Sequence, residues 1–106
     1  MTKAVFVVYS EPSSTEKEDD YNDWYDNTHL RQVCETPGFT GASRYYLHGD
    51  AAPAGLPPYL AVYEIEADDP EGSVKEMMGR AGTGKIEMTD AIKLDPPPVT
   101  ALYLAR

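Results

Sequence analysis

Apolar and β-branched residues run almost unbroken from Lys3 to Ser10 (KAVFVVYS). That pattern predicts a strand covered on both faces or nearly so, and therefore central in its sheet. Glu11 and Pro12 end it, and Ser13 and Ser14 make a short loop. The period then changes. Tyr21, Trp24, Tyr25 and Thr28, with Gln32 at the far end, recur three and four apart and share one helix face. Asp19, Asp20, Asp23 and Asp26 fall largely on the other side. Thr15 with Glu18, or Ser13 with Glu16, supplies a capping box at the start. The helix either continues to Cys34 or breaks near Leu30, and Pro37-Gly38 stops it in both cases.

Phe39 to His48 predicts a second strand. Strict alternation puts Phe39, Gly41, Ser43, Tyr45 and Leu47 on one face and Thr40, Ala42, Arg44, Tyr46 and His48 on the other. The small residues at 41 to 43 allow close approach of another element or space for a ligand. Gly49 to Pro58 is a loop by composition, and Tyr59 to Glu66 (YLAVYEIE) a third strand. Asp69 as N-cap with Pro70 at the first helical position opens a second helix, whose apolar stripe is Val74, Met77, Met78 and Ala81. Gly82-Thr83-Gly84 ends it. Its spacing and its place after a helix fit no phosphate-binding loop. Ile86 to Leu94 predicts a fourth strand, and Val99 to Leu104 beyond Pro96-Pro97-Pro98 a last strand or extended tail.

The order β-α-β-β-α-β predicts an α+β fold: a ferredoxin-like antiparallel sheet with two helices on one face. With 106 residues the chain is expected to be one domain, 1–106. The helix-free face still needs a cover. A second copy of the sheet would supply it, giving a two-fold homodimer.

Composition narrows the partners. Eighteen acidic against nine basic residues leave a net charge of −9, with no basic stripe to follow a phosphate backbone. Nucleic acid and anionic membrane are thereby poor partners. Neither a signal peptide nor a spanning segment is evident, so the expected compartment is the cytoplasm. The lone Cys34 excludes an intrachain disulfide and has no neighbour to activate it, so it is expected to pack. Eight tyrosines against two phenylalanines suit an interface or a wet-edged pocket better than a dry core.

His29 is the strongest chemical candidate, four residues beyond Tyr25 and so on the aromatic edge of the helix. Its ordinary pKa suits proton transfer near neutrality, and a place late in the helix beside Asp26 would favour the imidazolium. On pattern alone, a packed histidine at the helix–sheet seam fits as well or better. Arg44 could hold an oxygen on which charge develops, with Tyr46 and His48 on its face, or pair with the acidic helix, the plainer outcome. Tyr59 and Tyr63 share one face of the third strand and could line a cavity or a dimer seam. His29 with His48 would need carboxylates to complete a metal site, so no metal is expected.

The run Asn22-Asp-Trp-Tyr-Asp-Asn-Thr-His29-Leu, then Pro37-Gly-Phe and Arg44-Tyr45, resembles the EthD-like branch of the dimeric α+β-barrel superfamily. The first forty-five residues carry the resemblance, the third strand and Asp69-Pro-Glu fit more loosely, and it fades after residue 80. It implies a dimeric ferredoxin-like fold with a small-molecule pocket between helices and sheet. Relatives of that kind include methylmuconolactone methyl-isomerase, fungal polyketide dehydratases and proteins of ether-degradation clusters, and the broader superfamily adds polyketide cyclases and antibiotic monooxygenases. It also implies roles: His29 as the family histidine, and Arg44 with Tyr45 as the family Arg-Tyr strand. The function expected is cofactor-independent isomerisation, dehydration or cyclisation of a small cyclic or aromatic carbonyl or lactone. His29, Arg44 and Tyr46 would be catalytic, and Trp24, Tyr25, Tyr45, His48, Tyr59 and Tyr63 would bind substrate. A non-catalytic binding protein, a cofactor-free monooxygenase and a purely structural dimer are the alternatives.

Overall fold

The computed structural model describes residues 1–49 and 55–106. Four strands, β1 (Thr2–Ser10), β2 (Phe39–Tyr46), β3 (Tyr59–Ala67) and β4 (Val99–Leu104), form one sheet in the order β2-β3-β1-β4. Every pairing is antiparallel. Helical structure covers one face: a rod over residues 18–34 between β1 and β2, and α3 (Pro70–Gly82) between β3 and β4. This is the ferredoxin-like α+β arrangement. Among the described residues no helix is long and apolar enough to cross a membrane.

The run Lys3 to Ser10 lies centrally, as its unbroken apolar character requires. Ala4 and Phe6 of β1 stand opposite Ile65 and Tyr63 of β3, and these four buried residues form the sheet's side of the core. Tyr21, Tyr25 and Val33 of the rod and Met77 of α3 close over them. Pro37-Gly38 turns the chain from rod to sheet. Gly38 sits at φ +95°, and a Cβ there would come within 3.2 Å of the Ala67 Cβ as well as striking Ser73, so only glycine fits. At α3 the Asp69 carboxylate accepts the Gly72 N–H at 3.1 Å, with Pro70 leading the first turn.

Three expectations fail for local reasons. No capping box forms at the rod, because neither Ser14 nor Lys17 at its caps bonds a helix-end N–H through its side chain and Glu18 is engaged elsewhere. Alternation along β2 is broken by an irregularity between Phe39 and Gly41. Phe39 pairs with Ile65 and Arg44 with Ala61, so one bulged residue puts both on the helix-covered face. Ile86 to Leu94 is not a strand. Ile86, Ala91 and Ile92 are buried, but spacings of five and one fit no alternation, and the segment crosses the core's edge as an irregular cap. Cross-links hold it: the Ser13 N–H donates to Ala91 O at 2.7 Å, Lys93 N–H to Glu11 O at 3.0 Å, and Glu87 N–H to Gln32 Oε1 at 2.6 Å. The final strand is therefore Val99–Leu104, antiparallel to β1. The predicted loop from Gly49 lies in part, over residues 50–54, outside the described residues.

Candidate functional site

The rod is three helical pieces in succession: α1 (Glu18–Trp24), a π-helical turn (Tyr25–His29) and α2 (Leu30–Cys34). At the turn, the Leu30 N–H donates to Tyr25 O five residues back. The cause is legible in the spacing. Tyr21, Tyr25, His29 and Val33 stand four apart, and an α-helix turns about 100° per residue, so each step overshoots one turn by about 40°. Over three steps a regular helix would swing Val33 off the core. One wide turn absorbs the surplus residue, and Tyr21, Tyr25 and Val33 all remain buried.

The same turn makes a new neighbour pair. Trp24 and His29 are five residues apart, about 140° in an α-helix. Here their rings stack with centroids 4.2 Å apart and planes 25° from parallel. Trp24 Nε1–H donates to Glu87 O at 3.0 Å, fixing the indole against the cap segment. Tyr25 presents its ring edgewise to the imidazole at 5.0 Å. His29 is thus gripped by two aromatic rings in a helix turn built around it.

These side chains wall a cavity of about 320 Å³ between rod, sheet, α3 and the cap segment. Its deep wall is Phe6, Val33, Tyr63, Met77 and Ile92, all buried. Its mouth is Met78, Met88 and Leu94, each about half exposed (49%, 51% and 54%). No lining residue carries a formal charge. Two polar atoms on lining residues, His29 Nδ1 and the Tyr63 hydroxyl, are sealed behind the cavity wall, and among the described residues neither makes a well-formed hydrogen bond, although the Tyr63 phenol, on a tyrosine only 1% exposed, lies beside that of Tyr25. Such groups are rare, because each forfeits its hydration without return.

Electrostatics follow from burial. The His29 imidazole titrates at about 4, lowered first by burial and then by the charge of Arg44. The expected imidazolium is therefore not the resting form. Asp26 supplies no help, since its carboxylate is paired with Arg44 at 2.8 Å. Burial also pushes the Tyr63 phenol far up, so it stays a hydrogen-bond donor.

Of the residues singled out from the sequence, His29, Trp24, Tyr25 and Tyr63 meet at the cavity. Arg44 does not reach it. Its guanidinium lies over the rings of Tyr25, Tyr59 and Tyr21 at 4.3, 5.0 and 5.2 Å. It donates to Asp26 and, at 2.9 Å, to Asn22 Oδ1. The plainer outcome, pairing with the acidic helix, is the one that forms. Tyr59 belongs to this cluster, donating to Glu18 Oε2 at 2.6 Å and accepting from Asn22 at 3.1 Å. Tyr46, 78% exposed, and His48 lie on the surface away from the cavity. Tyr45 points to the helix-free face beside Leu60. Tyr59 and Tyr63 face the helices, so neither fills a seam on the open sheet.

The mouth residues Met88 and Leu94 were not foreseen, because their segment reads as a strand, and Met78 reads as filler. Cys34 packs partly buried against the core, with burial raising its pKa. Among the described residues no three metal-ligating side chains converge.

No family model matches the chain, and no curated protein matches it. Among solved structures it is similar to a candidate monooxygenase from Shewanella loihica PV-4. That alignment has a TM-score of 0.59 at 14% identity, over 97% of this chain and 94% of that one. The two chains share a fold. An EthD family protein from Bacillus halodurans C-125 aligns over 95% of this chain and 97% of its own, with a TM-score of 0.45 at 13% identity.

Proposed function

We propose that this protein takes a small molecule into the cavity at His29 and works on it by cofactor-independent acid–base chemistry. One observation carries the proposal: a neutral imidazole stands in the wall of a largely apolar cavity. A cavity near 320 Å³ suits a ring-sized ligand. His29 is unprotonated at neutral pH and accepts a proton from carbon next to a carbonyl. The imidazolium formed is then no longer an isolated buried charge, because the enolate lies beside it. Return of that proton at another carbon completes an isomerisation. Its delivery to a departing hydroxyl completes a dehydration.

The lowered basicity of His29, with no acceptor orienting Nδ1, favours a second reading in which the same residues only bind ligand. Oxygenation is a third. The structural neighbour from Shewanella is a candidate monooxygenase, and oxygenation without cofactor shares the first deprotonation when the substrate anion itself reduces dioxygen. Turnover of a panel of aromatic ketones and lactones by native protein and His29→Ala separates these. The enzyme reading expects a loss of about 10²-fold or more in turnover, with ligand affinity changed far less. Equal turnover of every reactive compound by both proteins removes His29 from the chemistry. Binding without any turnover leaves the carrier.

We also propose that a second copy covers the open sheet face. Val7, Val62 and Ala101 lie in register across its centre, with Tyr9, Leu60 and Val99 in the next row. Sedimentation should give twice the monomer mass, and a monomer at high micromolar concentration would rule this out.

A further inference from the structure

We infer that the ligand of this cavity is uncharged, with its apolar tail among Met78, Met88 and Leu94. The inference rests on the cavity being the functional site, as proposed above, and adds the chemical class of what fills it.

Three observations converge. The first is the lining. The deep wall is the buried Phe6, Val33, Met77 and Ile92, and the mouth is half-exposed methionine and leucine, so a ligand's apolar surface is covered from floor to rim. Methionines suit a tail of variable shape, being flexible and polarisable.

The second observation is the missing counter-charge. No lysine or arginine lines the cavity. The nearby guanidinium of Arg44 is screened by the Tyr25 ring and occupied by Asp26 and Asn22. A carboxylate drawn into this apolar space would lose its hydration with no cation to replace it.

The third is the field outside. The protein carries −9 overall, and Asp23 and Asp26 are exposed on the rod that forms one wall. Anions are repelled before they reach the mouth. Lactones bearing a carboxylate are therefore disfavoured, while uncharged phenols and ketones of the same size are not.

Trp24 is the sole tryptophan and forms part of the wall, so its fluorescence reports occupancy, with calorimetry as an independent measure. The probes are 4-butylphenol and 4-butylbenzoate at pH 7.5, followed by phenols with ethyl to hexyl tails. We expect the phenol to bind at least about tenfold more tightly than the benzoate. Affinity should rise about threefold for each methylene that reaches the rim. Met78→Glu, at a half-exposed position, should flatten the tail series. A benzoate that binds as tightly as the phenol overturns the uncharged class while leaving the cavity as the site. A tail series unaffected by Met78→Glu overturns the placement of the apolar tail at the rim. If neither probe perturbs Trp24 nor gives heat, the cavity is not the site, and both this inference and the proposal beneath it fall.

Discussion

Two polar clusters meet at Tyr25 under the helices. In one, Arg44 is nearly saturated. Two of its three nitrogens donate to Asp26 and Asn22, its flat face stacks on tyrosine rings, and only Nε lacks a partner among the described residues. Tyr59, Asn22 and Glu18 continue that network. In the other, His29 and Tyr63 stand in the cavity wall, and His29 Nδ1 and the Tyr63 hydroxyl are buried without a well-formed bond among the described residues. The comparison separates two candidates that looked alike in sequence, an arginine and a histidine each near tyrosines. One is a rivet and the other the candidate site.

The largest effect that would break this comparison is acid destabilisation carried by His29. Above the ordinary histidine value of 6.5 the imidazole is neutral in both folded and unfolded chains and contributes nothing to the pH dependence. Below it the unfolded chain binds a proton that the folded one refuses until about 4. Stability therefore falls as pH drops from 6.5 to 4, by about 3 kcal/mol in all. Denaturant unfolding at a series of pH values should show this limb in native protein and its near-absence in His29→Gln. Arg44→Gln should keep the limb but narrow it, because the smaller cause of the lowered pKa is gone while burial remains. A limb of equal depth in His29→Gln would mean that the imidazole is solvated and the cavity wall is not as dry as its lining implies.

Much of this arrangement was legible before any coordinates. The central strand followed from its unbroken apolar run, the second helix from Asp69-Pro70, and the ferredoxin-like order from the alternation of periods. Physical context hid the rest. A strand needs alternation or a continuous run, and Ile86 to Leu94 has neither, since its buried residues are anchored by backbone bonds to distant segments that no local pattern shows. The bulge before Gly41 moved Phe39 to the opposite face and is a property of pairing with β3. At the site, His29 stood out by type, whereas its stacking on Trp24 required the π turn. That turn did leave a trace: Tyr21, Tyr25, His29 and Val33 keep a strict spacing of four that a regular helix cannot hold on one face. Tyr63 was placed on the right strand, but its lack of a partner depends on packing from three elements and is invisible in sequence.

The smallest effect is the most discriminating, because it asks two buried phenols the same question. Tyr21 and Tyr63 are both essentially inaccessible, yet the Tyr21 hydroxyl is bonded to Ser10 Oγ at 2.6 Å, whereas the Tyr63 hydroxyl lies beside that of Tyr25 without a well-formed bond. Tyr21→Phe removes the bond to the buried Ser10 hydroxyl and should cost about 1–2 kcal/mol in urea unfolding. Tyr63→Phe removes an oxygen poorly compensated for its desolvation, so stability should be unchanged or higher by up to about 1 kcal/mol. The pair therefore tests whether the Tyr63 hydroxyl is unsatisfied, without knowledge of any ligand. Equal losses for the two variants would mean that Tyr63 has found a partner in solution, such as a trapped water, and that the difference between the two clusters is one of hydration alone.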